Sequence, residues 1–315
     1  MGILDNGRAG RSAAAGGAST LILLPGRGYA MALMVLSSTA ISFGGLIIRN
    51  IEAADPWQIN FYRSLSLAIA VASILLFQYR GHMLYHVRKV GGAGLLGGAM
   101  LGVAGVALVQ SFTHTTVANT LFTLSAIPFI TAALARVVLK ETLRRVTLVT
   151  MAVAACGIFV MMAEGLGIGS IYGNAMALLT AVCFSAYAVI VRRRREIDML
   201  PTLLISGLMI ALASLVASLG ALEITLNDLL LCLLWGGVLS GIANWTFIIA
   251  ARHLVAAEVT LFMLLEFSLG PLWVWLFVGE VPSGWTLLGG TLIIAAVSGL
   301  AVVELRRSRV PGSAP

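Results

Sequence analysis

Glu266 lies in an otherwise uncharged apolar run, residues 256–278, about ten residues from either end. A carboxylate at bilayer depth costs a few kcal/mol, so it needs a cavity, a partner or a proton. Such a group can recognise an ammonium or carry a coupled proton, or it can be a carboxyl hydrogen-bonded between helices. Asn244, in the run 228–250, is an amide at similar depth and needs a partner or water. Ser42, Phe43, Phe122, Phe184, Tyr187, Trp245 and Phe262 lie in neighbouring apolar runs and are expected to wall a cavity with them. Mostly apolar walls with a few orienting polar groups suit an amphipathic solute. Each aromatic ring can instead pack against a helix or face lipid.

Gln110, Ser111, His114, Thr115, Thr116 and Asn119 cluster where one run ends and the next begins. They can line an exit, or satisfy the free backbone groups of a tight helical hairpin. Arg63, two turns inside its run, can meet a solute carboxylate; the structural alternative, which we favour, has it snorkelling to headgroups or pairing with Asp55. Pro128 and Pro271 interrupt two runs and are hinge candidates, although a fixed kink has the same cause.

Catalytic and metal chemistry find little support. No HExxH occurs, nor a Ser-His pair at shared depth, nor two carboxylates placed to hold a metal. His82 and His86 have helical ligand spacing but sit in a basic loop without a nearby acid or cysteine. Cys156, Cys183 and Cys232 lie inside apolar runs and read as small core residues. Neither a metal nor a cofactor is expected.

The elements that must position these residues follow from composition. The chain has 315 residues, 59% of them apolar and 10% charged, with mean hydropathy +1.00. A soluble domain is about 45–50% apolar and 25% charged. Ten apolar runs succeed one another at 28–48, 57–78, 91–111, 116–139, 146–163, 171–191, 199–220, 228–250, 256–278 and 285–305. Most approach the roughly 20 residues that a membrane helix needs. Asp55-Pro56 is a cap and first-turn proline for the second, and Glu258 suits the first turn of the ninth. Residues 1–27, rich in Ala, Gly and Ser, read as a disordered tail, and 306–315 as a basic one. The net charge of +7 comes from dispersed cations without an aromatic-interleaved stripe, which excludes nucleic acid as partner.

Charge placement tests the count. With ten spans, Arg8, Arg11, Arg27, Arg80, Arg88, Lys89, Lys140, Arg144, Arg145, Arg192 to Arg195, Arg252, Arg306, Arg307 and Arg309 fall on one side. The other side holds Glu52, Asp55, Glu164, Glu223, Asp228 and Glu280, with Arg49 alone among cations. The positive-inside rule then puts both termini in the cytoplasm. Trp57 and Trp285 are expected as interface anchors.

The two halves echo each other. Residues 96–122 return as 235–262, with Gly97-Gly98 on Gly236-Gly237, His114 on His253 and Glu141 on Glu280, 139 positions later. TAISF (39–43) is echoed by TAVCF (180–184). Five spans per half is an odd number, so the second half enters the membrane from the opposite face. Inverted repeats of this kind permit alternating access. The expected units are 28–165 and 170–305. Spans one, three, four, six, eight and nine carry most intramembrane polar and aromatic side chains.

The segments THTTVANTLFTLSAIPFITAALARVVLKETL (113–143), AAEVTLFMLLEFSLGPLWVWLFVGEVPS (256–283) and Arg63 in DPWQINFYRSLSLAIA (55–70) carry a resemblance. On them the chain resembles the drug/metabolite transporter superfamily in its ten-helix form with two EamA-type repeats. The second repeat has Phe267 where the first has its proline, and Pro271 one turn later. The resemblance implies a ten-helix basket in a bacterial inner membrane, its cavity formed by the six spans named above. One polypeptide would hold the whole transport unit, so a monomer would function. The implied activity is export of amino acids, aromatic and hydrophobic ones included, and of related metabolites. Proton exchange and uncoupled facilitation both fit. The rival within transport is efflux of cationic amphiphiles, with Glu266 meeting the cation; the rivals outside it are a membrane-embedded enzyme or a scaffold.

Overall fold

The computed structural model describes residues 27–79, 83–140, 145–164, 168–194, 196–251 and 256–308. The tail before residue 27, Arg8, Arg11, Arg80, His82, Glu141, Arg144, Arg195, Arg252, His253 and Arg309 lie outside them, as do the side chains of Glu164 and Glu258.

Helices account for nearly all the described residues, and no strand occurs among them. In an apolar medium a helix satisfies its own backbone, so long uncharged runs fold this way. In order they are α1 (Arg27–Ser42), α2 (Gly44–Arg49), α3 (Pro56–Tyr79), α4 (Met83–Lys89), α5 (Gly91–His114), α6 (Val117–Leu124) and α7 (Ile127–Val138). Then come α8 (Arg145–Glu164), α9 (Ile168–Arg193), α10 (Pro201–Ala217), α11 (Leu226–Leu233), a π-helical turn (Leu234–Leu239), α12 (Ser240–Ala251), α13 (Ala256–Val278) and α14 (Gly284–Ser308). Among the described residues, six stretches are long and apolar enough to cross a bilayer: Tyr29–Arg49, Pro56–Tyr79, Gly91–His114, Val117–Val138, Ile171–Arg193 and Leu226–Thr246. Four shorter apolar stretches accompany them, Arg145–Val160, Pro201–Ala217, Phe262–Val278 and Gly284–Leu300.

Local sequence sets several boundaries. Asp55 caps α3 as expected, its Oδ1 accepting the N–H groups of Trp57 (2.7 Å) and Gln58 (3.1 Å). Thr116 does the same for α6 through Asn119 N–H (3.1 Å), and Thr225 for α11 through Asp228 N–H (3.2 Å). The helices depart from the expected runs in four places. The first run breaks at Phe43, and the fourth at Ser125–Ala126, just before Pro128. The eighth widens into the π-turn, and α4 is an additional short helix in what reads as a loop.

Small residues let helices meet closely, where packing rather than the hydrophobic effect holds them together. A Cβ on Gly98 of α5 would fall 2.6 Å from the Ile205 side chain of α10. On the other side of α5 lies α9, and α10 also packs along α3. The main buried cluster includes Ile47, Phe112, Leu121, Trp235, Phe267 and Ile293, and so joins both halves of the chain.

Candidate functional site

Phe262, Glu266, Gly270, Trp273 and Phe277 recur every three or four residues and share one face of α13. That face runs along α1, α2 and α6. Phe262 packs near Ala30, Met34 and Ala250. At Gly270 a Cβ would lie 2.2 Å from Leu121 Cδ1 and 3.5 Å from the Ser42 carbonyl oxygen, so the helices touch there. The Trp273 ring stacks on Phe43, 5.2 Å between centroids and 5° from parallel, and its Nε1–H donates to Ser42 Oγ (2.9 Å). The Ser42 hydroxyl in turn donates to the Thr39 carbonyl (2.7 Å). A serine bonding back to its own helix competes with the helical ladder, and this one stands next to the interruption at Phe43.

Glu266 stands one turn from Gly270 on this stripe. It is partly buried, and no hydrogen bond or ion pair joins it to another described residue. Ser42, Phe43, Phe262 and Glu266 therefore belong to one strip, and Trp273, which the sequence reading missed, is its aromatic anchor. Its helical spacing from Glu266 was the available signal.

Beyond Trp273 the strip ends in a closure. Arg49, at the end of α2, donates Nε–H to Glu280 Oε2 (2.6 Å) and Nη2–H to the Thr115 carbonyl (2.8 Å). Glu280 Oε1 accepts the Val117 N–H at the start of α6 (2.7 Å). One ion pair thus ties α2, the α5–α6 hairpin and the α13–α14 connection. Asp228 is buried, and its carboxylate accepts the N–H groups of Ala53 (2.9 Å), Ala54 (3.0 Å) and Glu52 (3.3 Å) in the loop after α2. The Tyr62 hydroxyl donates to the Leu222 carbonyl (2.6 Å) at the same end.

The polar hairpin residues serve helix ends and interhelical ties. Ser111 and Thr120 share a hydroxyl–hydroxyl bond (2.8 Å), and Thr115 donates to Asn174 of α9 (3.0 Å). Asn119 Oδ1 accepts from the Thr286 hydroxyl of α14 (2.5 Å). Gln110 is buried, and its carbonyl meets His114 Nδ1 (2.8 Å); His114 itself is exposed, edge-on to Tyr172.

The remaining expected wall residues lie elsewhere. Phe122 presses on α14 at Gly290, and Phe184 meets Tyr187 edge-on, while Tyr187 shares a hydroxyl bond with Thr202 (3.1 Å). Asn244 returns its amide N–H to the Ser240 carbonyl (2.7 Å). Trp245 is 56% exposed and borders an outer groove of about 740 Å³ between α3 and α12, with Ser73, Phe77 and Gln78. A second groove, of about 370 Å³, runs between α5, α7 and α9 toward Arg193 and Arg194. Pro128 is in the first turn of α7, after the break, whereas Pro271 sits inside an unbroken α13.

Arg63 corrects the sequence reading. It neither snorkels nor pairs with Asp55; only 7% of it is exposed. Its guanidinium lies 4.8 Å from the Trp235 ring centroid, and Nη2–H donates to the Gly105 carbonyl at 3.4 Å. Aromatic faces and carbonyl dipoles offset a buried cation where no headgroup is within reach. The π-turn brings this about, since Gly236 sits so close that a Cβ would be 1.9 Å from the Arg63 carbonyl oxygen.

Helices of this length and apolarity define a multi-pass membrane protein. The family model of the EamA-like transporters matches it twice, over residues 28–163 and 171–302, and the chain belongs to that family. It is therefore a membrane transporter of small molecules built from two repeats. No curated protein matches the chain. Among solved structures 17 chains match. One, titled "Crystal structure of protein", is 18% identical, covers 89% of this chain and 99% of its own, and superposes with a TM-score of 0.63, a likeness of fold.

Proposed function

We propose that the protein exports amino acids, aromatic and hydrophobic ones included, and related metabolites across a bacterial inner membrane by alternating access. In this reading the four shorter apolar stretches cross the membrane with the six longer ones, as two inverted five-helix repeats with both termini cytoplasmic. The solute path lies between α1, α12 and α13 on one side and α5, α6, α7 and α9 on the other.

The observation that carries the reading is the closure at the Glu280 end above the α13 strip. A gate needs a contact strong enough to hold and local enough to break. The ion pair of Arg49 and Glu280 is partly exposed, with side chains 24% and 20% accessible, and one carboxylate organises three backbone segments. Phe43 and Trp273 beneath it offer flat apolar faces to a ring-bearing solute. A single chain suffices for this cycle, so a monomer functions.

Efflux of cationic amphiphiles is the second reading, and the Glu266 carboxylate, without a partner among the described residues, favours it. Proteoliposomes containing only this protein separate the two. Uptake of labelled amino acids without uptake of a cationic dye is the expected result. Dye uptake alone installs the second reading, and neither signal sinks both.

A further inference from the structure

Among the described residues, five polar atoms are buried without a hydrogen-bond partner, and all belong to four side chains: both amide atoms of Asn60, Arg63 Nε, Ser64 Oγ and Ser214 Oγ. Asn60, Arg63 and Ser64 are one arc of α3 by their spacing. The packing register adds Ser214. A Cβ added to Gly207 of α10 would lie 3.1 Å from both the Ser64 carbonyl oxygen and Ala68 Cβ, and one added to Gly105 of α5 would lie 2.6 Å from Ile210 and 3.4 Å from Arg63 Nη2. Because α10 rises as α3 descends, one further turn of α10 brings Ser214 level with Asn60.

We propose that these side chains form a binding site for one small monovalent anion of halide size. Arg63 is permanently charged. No carboxylate pairs with it among the described residues, and the Trp235 face and Gly105 carbonyl supply only partial negative charge. Burying a lone cation costs several kcal/mol, which water could lower but not cancel. Arg63 Nε–H, the Asn60 amide N–H and two hydroxyls are unsatisfied donors on adjoining turns of α3 and α10, a donor set for an anion.

Size follows from packing. Gly236 closes on the Arg63 backbone, and a Cβ on Gly105 would be 2.6 Å from Ile210, so the helices leave no room for an organic solute. The site lies away from the α13 strip and does not depend on the transport reading. An ion there would tie α3, α5 and α10 to the π-turn.

The test uses the full chain in detergent, at constant ionic strength, with sodium chloride replacing sodium gluconate. Chloride is expected to raise the unfolding midpoint by several degrees and to saturate, as bound ligands do, with bromide substituting for it. Ser214→Ala removes one donor and no charge; it should raise the half-saturating chloride concentration about three- to tenfold. Asn60→Ala should do the same, and both keep the test alive if Arg63→Gln does not fold. Crystals grown in bromide should give an anomalous peak at hydrogen-bond distance from Arg63 Nε. Equal midpoints in chloride and gluconate overturn the proposal. So does an equal chloride response in Ser214→Ala and the parent, or a site filled by water without anomalous signal.

Discussion

Two charges lie deep in apolar helices, and the molecule treats them differently. Arg63 is enclosed: Trp235 covers its guanidinium, Gly105 accepts one N–H, and Gly236 presses on its backbone. Glu266 is left partly open on a helix face, without a bond to any described residue, one turn from the contact at Gly270. A charge clamped by two elements, the π-turn and α5, serves their assembly on α3. In the proposed function, one left unclamped on a seam between the halves is available to something that comes and goes. The difference separates architecture from work at two sites of equal apolarity.

The strongest challenge to that contrast is Gly236→Ala. Its methyl would collide with the Arg63 carbonyl oxygen, so we expect about 3 kcal/mol of destabilisation or more, seen as lost monodisperse protein. A parental unfolding midpoint in this variant would mean that Arg63 is not clamped at all. Arg49→Gln should cost about 2 kcal/mol, less than a fully buried pair because water reaches it. It should also speed labelling of a Ser42→Cys reporter by an impermeant maleimide added from the Glu280 side; unchanged labelling there removes the closure from the cycle. Glu266→Gln should leave the midpoint within about 0.5 kcal/mol of the parent while flux falls at least about tenfold. Parental flux would place Glu266 beside Arg63 as a structural charge. Trp273→Phe keeps a stacked ring and loses the bond to Ser42, for about 1 kcal/mol. A thermal melt reads this last effect, and a null shift would reduce Trp273 to packing alone.

Much of the architecture was legible because lipid imposes a plain rule on sequence. Each expected apolar run is largely helical, although only six helical stretches among the described residues are long and apolar enough to cross a bilayer, and the Asp55 cap is where the sequence placed it. Helix interruptions were harder to read. Pro128 announces its break, but the break at Phe43 has no proline or glycine inside it and hydropathy does not encode it. The π-turn is a second case. One extra residue in a turn rotates everything after it by roughly 100° relative to a continued helix. Trp245 lies after that turn and faces outward, against an expectation drawn from unbroken periodicity. Arg63 was misjudged for a different reason. Its distance from the span end allowed snorkelling, and only tertiary packing against Trp235 decides otherwise.

The helix α10 has 17 residues, about 26 Å of rise, whereas α3 and α5, which pack on it, have 24 each. A hydrocarbon core is roughly 30 Å thick, so α10 is shorter than that core while its two neighbours exceed it. Leu219, just past its end, is nearly naked to the surroundings. On the proposed ten-span reading, acyl chains beside α10 would have to thin locally, and longer ones would strain that flank most. Host-membrane thickness would then be a dial on the α3–α10 seam, turned by fatty-acid composition rather than by any solute.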